Sequence, residues 1–422
     1  MELTRRNLGK FAVATGAAAA VGTGVGTTLL SRSADAAATW KTTGTAVSAL
    51  AGFDTQVKTF MQARGITGGQ LAVTYKGRLV LARGYSTSTT LDVQPTSLFR
   101  IASVSKSITA AAIMKLVQDG KLSLSTPVTK ILTITPPTGQ TRDARWSSVT
   151  IKRLLQHLGG WDRDLSGDPN FKDATISRAL NVPMELKHAD VIKYMAGQPI
   201  NYAPGTKVAY SNFGYVLAGR VIEKVSGMSY ATYVQQKLLT PLKITRMALG
   251  WSIAKHTGEV PYESQYTGKT VLDNTGATVA SPYGTFSMRI QDANGGWIAS
   301  APDLVRWARM FDASSSVLNS TSLNAIWAKP ETGIANGWYY GLGWQVRPTS
   351  GGTGRNTWHT GSLPGTYSLL VRTSSGMSWA AIFNRRDDAS GKSYADIDAA
   401  MWTAANGVKT WPTHDYFSKY FS

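Results

Sequence analysis

The run Ser103-Val104-Ser105-Lys106-Ser107-Ile108-Thr109-Ala110-Ala111-Ala112-Ile113-Met114-Lys115-Leu116-Val117 carries apolar residues at 108, 111, 112, 114, 116 and 117 and stops at Gly120. That density predicts a largely buried helix opening near Ile101. Three residues of separation put Ser103 and Lys106 on one face about a turn apart. An unaided serine hydroxyl is a poor nucleophile, but a desolvated, neutral lysine within hydrogen-bond reach can take its proton, and the positive end of the helix favours the developing anion. Ser105 and Ser107 are competing hydroxyls, yet neither has a lysine three residues on.

Working outward, Gly69–Gly84 reads as a hairpin, with Leu71-Ala72-Val73-Thr74-Tyr75 and Leu79-Val80-Leu81-Ala82 flanking a Lys76-Gly77 turn. Before it, Thr39–Ala63 has Val47, Leu50, Phe53, Val57, Phe60 and Met61 at helical spacing. The middle, about 121–289, mixes long loops with helical stretches, among them parts of Ser177–Ala196 and Phe213–Gly227. Strand signals return at Tyr340–Val346, Thr366–Arg372 and Trp379–Asn384, and a last helix is expected near Tyr394–Ala405. Strands at both ends imply an α/β fold: one mixed antiparallel sheet built from both termini and flanked by helices, with a mainly helical insertion. The α/β part covers about 39–120 and 290–422, and the chemistry is expected at its junction with the insertion.

Residues 1–38 read differently. Thr4-Arg5-Arg6-Asn7-Leu8-Gly9-Lys10, a weakly apolar run from Phe11 to Leu30 and Ala34-Asp35-Ala36-Ala37-Ala38 have the order of a twin-arginine export leader with a small-residue cleavage site. Gly22, Thr23, Gly24, Gly26, Thr27 and Thr28 make the run too polar for a stable span of about 20 residues. A secreted or wall-associated protein is expected, with 39–422 as one domain and no transmembrane segment after cleavage. It has no cysteine, so its stability must come from a packed core, which 43% hydrophobic and only 16% charged residues permit. The net charge of +19 favours polyanionic surroundings; outside a cell these are anionic wall polymers or anionic lipid surfaces rather than nucleic acid, for which no aromatic-interleaved basic motif is present. The five histidines, His157, His188, His256, His359 and His414, lack metal-ligand spacing, so neither metal nor cofactor is assigned.

Two further motifs bear on Ser103. Tyr210-Ser211-Asn212 supplies a phenol that could give up its proton beside a lysine ammonium, and an amide that could hold Lys106 or the substrate. His359-Thr360-Gly361-Ser362 supplies a glycine that lets backbone approach a ligand, and the Ser362 amide can join the Ser103 amide in an oxyanion hole. A lone strand histidine such as His359 is more often structural. Trp161, Trp297 and Trp344 are candidate rim aromatics, with core packing the commoner fate. Arg289 is a candidate for a substrate carboxylate near Asn294. The terminal Tyr416-Phe417-Ser418-Lys419-Tyr420-Phe421 is expected to dock on its own domain.

The three motifs in this order resemble the serine β-lactamase and penicillin-binding-protein superfamily, nearest the class C β-lactamase and Streptomyces-type DD-peptidase branch. The resemblance spans about residues 45–405, with support from Phe99-Arg100-Ile101-Ala102, Ile151–His157, Gly295–Ser300 and Tyr340–Trp344. It implies that Ser103 is acylated, that Lys106 and Tyr210 share proton transfer, that His359 stands where many relatives have lysine, and that Thr360 contacts a substrate carboxylate or amide. His157-Leu158-Gly159-Gly160-Trp161 departs from the Thr-Ser-Gly common in relatives. The implied substrates are small peptides, esters or amides. Hydrolysis of D-amino-acid peptides, of the D-Ala-D-Ala carboxypeptidase kind, leads; an esterase, amidase or acyltransferase follows, then a β-lactamase, and last a non-catalytic wall- or penicillin-binding protein.

Overall fold

The computed structural model describes residues 39–421 apart from 314, 316, 335, 353 and 388; the leader reading therefore lies outside the described residues. Eight strands form the main sheet in the order Lys41–Thr43, Arg78–Ser86, Gly68–Tyr75, Met377–Phe383, Thr366–Arg372, Arg355–Leu363, Gln345–Pro348 and Tyr339–Tyr340. Every neighbouring pair is antiparallel. The two ends of the chain meet where Gly69 to Tyr75 pair with Phe383 to Met377. The hairpin turn works because Lys76 and Gly77 both take positive φ, 48° and 75°, which matches the twist of the flanking strands.

The sheet is buried on both faces, and its strands sort side chains with period two. Trp379, Ala381 and Phe383 pack with Phe53, Val57, Met61, Ile397 and Met401 from helices Ala51–Gln62 and Asp396–Asn406. The alternate residues Ala380 and Ile382 join the larger core around helices Ser105–Gln118, Asn212–Ser226 and Ala301–Arg309. The insertion is mainly helical, with Asp173–Leu180, His188–Ala196, Asn212–Ser226 and Tyr230–Val234, plus a ribbon of Thr267–Lys269 and Thr278–Ala280. No described helix is long and apolar enough to cross a membrane.

Two expectations need correcting. The first helix starts at Ala51, not near Thr39; the β-branched Thr42 and Thr43 instead extend the sheet edge against Tyr85 and Gly84. The helical parts expected in Ser177–Ala196 belong to two helices, the first ended by Asn181 in a left-handed conformation. Tyr340–Val346 is not one strand. It breaks at Gly343, whose φ of 74° turns the chain onto the nucleophile helix, where a Cβ would sit 2.6 Å from the Lys106 carbonyl oxygen.

Trp297 and Trp344 lie wholly inside the core and form no rim. Trp161 packs against Trp146 and Phe213, both with centroids at 4.9 Å, and its edge borders a small cavity. The terminal aromatics dock on their own domain: Phe417 and Phe421 are buried, Arg306 lies over both rings, and Arg246 Nη1 donates to the Tyr420 carbonyl at 2.6 Å.

Candidate active site

The chain enters the site on the short strand Phe99–Arg100, paired with Ile298 and Ala299. Arg100 is fully buried and anchors this approach, donating to the carbonyls of Pro282 at 2.7 Å and Trp251 at 2.8 Å. Thr366 and Ser368 hydroxyls then hold the Arg100 and Ile101 carbonyls, both at 2.7 Å. Ala102 has φ +47°, an uncommon conformation for a non-glycine residue that costs energy and persists because its neighbours over-determine it. The tight turn Ala102–Val104 presents Ser103, and the α-helix proper runs from Ser105.

Ser103 is the part-exposed hydroxyl of the motif. Ser105 and Ser107 are fully buried and engaged: the first accepts from the Trp297 amide, the second donates to the Val104 carbonyl and accepts from the Trp307 indole. Their geometry removes them as competitors.

Lys106 Nζ lies 3.0 Å from Ser103 Oγ, 2.7 Å from Asn212 Oδ1 and 2.8 Å from the Asn294 carbonyl oxygen. Asn212 cannot be flipped, because its Nδ2 donates to Asp168 Oδ2 at 2.5 Å. Two of the three neighbours are therefore pure acceptors. An ammonium satisfies all three with its three N–H groups; on losing a proton, the amine keeps its two bonds to the pure acceptors and turns its lone pair to the Ser103 O–H. Desolvation holds the Lys106 pKa well below its usual 10.5, the positive Arg163 lowers it further and Asp168 partly opposes this.

Tyr210 lies beside this pair, with Lys106 Nζ 4.8 Å from its ring centroid and its phenol against the Ser103 hydroxyl. Burial pushes the phenol up to about 12, against the lowering pull of Arg163 and Ser103. This corrects the expectation of a readily ionised tyrosine: desolvation outweighs the lowering pulls, so Tyr210 keeps its proton at neutral pH. The His157 ring packs on Tyr210 at 4.2 Å, and its Nδ1 accepts from the Ser211 amide at 3.1 Å, holding the turn that presents both Tyr210 and Asn212.

His359 approaches from the strand Arg355–Leu363. Along it Thr357, His359, Gly361 and Leu363 point inward while Thr360 and Ser362 are half-buried. His359 Nδ1 donates to the Thr360 carbonyl at 2.6 Å, so in the neutral ring Nε2 accepts from the Tyr340 hydroxyl at 2.8 Å. Desolvation, with Lys106 adding to it, drives the His359 pKa down to about 3. Pairing with Gln345–Pro348 ends at Trp358, so the edge from His359 to Leu363 meets the nucleophile turn instead of a strand. Gly361 is required there: a Cβ would come 2.1 Å from the Ile101 carbonyl oxygen. Arg386 Nη1 comes to 3.5 Å from Ser362 Oγ.

Ser103, Lys106, Tyr210, Asn212 and His359 thus meet in one site, with Gly361 against the turn and Thr360 and Ser362 on the same strand. Arg289 does not join them; it is exposed and pairs with Glu185 at 3.6 Å. Sequence reasoning missed Asp168 and Arg163, and gave Asn294, Tyr340 and His157 no role of their own. Asn294 acts through backbone, which no side-chain pattern announces. The glycine-rich stretch after Tyr340 was the available signal for that residue. Among the described residues no group of three or more histidines and carboxylates could hold a metal.

A family model described as Beta-lactamase matches residues 53–400. Penicillin-binding protein 4 of Amycolatopsis lactamdurans is 30% identical over 345 residues, 76% of this chain and 81% of its own. Protein flp of Staphylococcus aureus strain MRSA252 is 29% identical over 195 residues, 46% of this chain, and the match spans only 36% of flp. Among solved structures, the octameric penicillin-binding protein homologue from Pyrococcus abyssi superposes with a TM-score of 0.63 at 26% identity, covering 87% of this chain and 79% of that one. The chain belongs to the beta-lactamase family, with the beta-lactamase/transpeptidase fold of the serine acyl-enzyme hydrolases.

Proposed function

We propose that the protein is an exported serine hydrolase that cleaves D-amino-acid peptides through an acyl-enzyme on Ser103, in the manner of a D-Ala-D-Ala carboxypeptidase. The observation that carries the reading is the contact of Lys106 Nζ with Ser103 Oγ at 3.0 Å, with Nζ held from the other side by Asn212 Oδ1 and the Asn294 carbonyl and its pKa lowered by burial. As Oγ bonds to the carbonyl carbon, its proton passes to Nζ, and the new oxyanion is received by the Ser103 and Ser362 amides. The C–N bond then breaks while the leaving nitrogen takes a proton from the Tyr210 phenol, which is replenished from the protonated Lys106. Water releases the acyl group by the reverse transfers. His359 has both ring nitrogens engaged and orients Tyr340 and the strand.

Support for the substrate comes from the His359-Thr360-Gly361 sequence, similar to D-Ala-D-Ala peptidases and D-aminopeptidases, and from a penicillin-binding protein among the relatives. The twin-arginine leader and the +19 charge suit an enzyme working at the anionic wall. A second reading, an esterase or amidase of the same fold, is favoured by one observation. The strand position where many relatives carry a lysine holds a neutral imidazole, which gives a neutral ester no disadvantage.

The test is kcat/KM of the mature protein for D-Ala-D-Ala peptides, short p-nitrophenyl esters and nitrocefin, beside Ser103→Ala. The peptides should lead, and Ser103→Ala should lose several powers of ten. Esters in the lead would establish the second reading, and wild-type turnover by Ser103→Ala would refute the serine mechanism.

A further inference from the structure

The site holds three basic groups whose charged forms burial disfavours, Lys106, His157 and His359. Two neighbouring guanidiniums bring permanent charge: Arg386 by Ser362, which is paired with Asp387 at 2.7 Å, and Arg163. Arg163, on the turn after Trp161, lies with its guanidinium carbon 4.5 Å from the Tyr210 ring centroid. Tyr210 in turn touches Ser103, so the cation stands one aromatic ring away from the nucleophile.

Stacking occupies only the flat face of a guanidinium and leaves its in-plane N–H fork free for a carboxylate. The carboxylates nearby do not fill that fork. Asp164 is 79% exposed and reaches only 3.8 Å, a contact of little energy. Asp168 receives the Asn212 amide and the Asn170 backbone N–H instead. Arg163 also borders a cavity of ≈120 Å³ together with Asp168, Lys172, Ser211 and Asn212, so space for a small polar group opens beside the site.

We propose that Arg163 is a specificity-determining residue that binds a substrate carboxylate one residue from the bond Ser103 attacks. The inference rests on the Ser103 reading above and names the substrate class: acyl donors carrying an anion near the reacting carbonyl. It supplies at the insertion the positive charge that the neutral His359 does not supply at the strand.

The experiment compares kcat/KM for two matched pairs in wild type, Arg163→Gln and Arg163→Lys. One pair is acetyl-D-Ala-D-Ala and its C-terminal amide, which places the anion on the leaving side. The other is the p-nitrophenyl monoester of succinic acid and p-nitrophenyl butyrate, which places it on the acyl side. Because any change in Lys106 basicity acts on both members, the ratio within a pair isolates recognition of the anion. Arg163→Gln should lower the charged-to-neutral ratio about 10- to 100-fold in one pair, the range expected for charge-assisted hydrogen bonds, and Arg163→Lys should keep part of it. In wild type the same ratio should fall as ionic strength rises, a readout independent of how any variant folds. Ratios unchanged in both pairs, or insensitive to salt in wild type, would overturn the proposal. Loss of all turnover on Ser103→Ala with unchanged Arg163→Gln ratios would sink this inference alone, whereas wild-type turnover by Ser103→Ala would sink the serine reading beneath it.

Discussion

Lys106 and His359 reach the same site from opposite sides, one on the helix Ser105–Gln118 and the other on the strand Arg355–Leu363. Both are basic, both are buried to 1% exposure or less, and desolvation is the largest cause of a lowered pKa in each. They differ in where their lone pairs point. Around Lys106 two fixed acceptors hold Nζ, so Ser103 is the one neighbour to which the deprotonated amine can turn its lone pair. Around His359 a carbonyl takes the one N–H and the Tyr340 hydroxyl fills the other nitrogen. Burial makes a group neutral; the partners decide whether the neutral group can act as a base.

The largest effect expected from this contrast is at Lys106. Lys106→Ala should slow acylation about 10²–10⁴-fold, the usual worth of a positioned general base. Lys106→Arg should give no rescue, because a guanidinium does not release its proton near neutrality. Rapid-quench acylation rates would check both, and a rate near wild type in either variant would break the contrast.

Asp168 should matter less, through Asn212. Asp168→Asn removes the acceptor that fixes the Asn212 amide and also the negative charge that raises the Lys106 pKa. A loss of about 10-fold in kcat is expected. Since the base is active when unprotonated, kcat/KM rises with pH through the Lys106 pKa, and a lower pKa moves that acidic limb to lower pH. A limb displaced upward would contradict the assignment.

His359→Gln should change acylation least, by less than about 10-fold, and should show instead in stability. The unfolded chain takes up a proton near 6.5, whereas the folded site resists until about 3. The native state therefore loses stability as pH falls through that window and is fully stable above it. The variant should flatten the fall in Tm on acidification; His157, lowered in the same direction, leaves part of the slope in place. A loss of activity as large as that of Lys106→Ala, with an unchanged acid Tm profile, would make the strand side catalytic.

Much of this was legible in the sequence where the chemistry is local. Ser103 and Lys106 are one turn apart on a helix with an apolar run, so spacing alone brings their tips together. The antiparallel sheet from both ends followed from alternating strands such as Trp379–Asn384, and the Lys76-Gly77 turn announced its own hairpin. Protonation was not legible, because it depends on how many atoms of distant chain exclude water. A lysine read as an ammonium beside Tyr210 has, once buried under Tyr215 and Gly343, a pKa held well below its usual value, and the phenol beside it is pushed up to about 12. The roles of Tyr340, Asp168 and Arg163 escaped notice for the same reason: each residue acts on another tens of positions away, and none sits in a motif with its target.

The central claim is tested most directly by intact-mass spectrometry and peptide mapping after brief exposure to a small set of acyl donors, including a penicillin and a p-nitrophenyl ester. A single acyl adduct on Ser103, forming at neutral pH in wild type and absent from Lys106→Ala on the same timescale, is the result this account predicts. An adduct on Ser105 or Ser107, or equal acylation of Ser103 with and without Lys106, would contradict it.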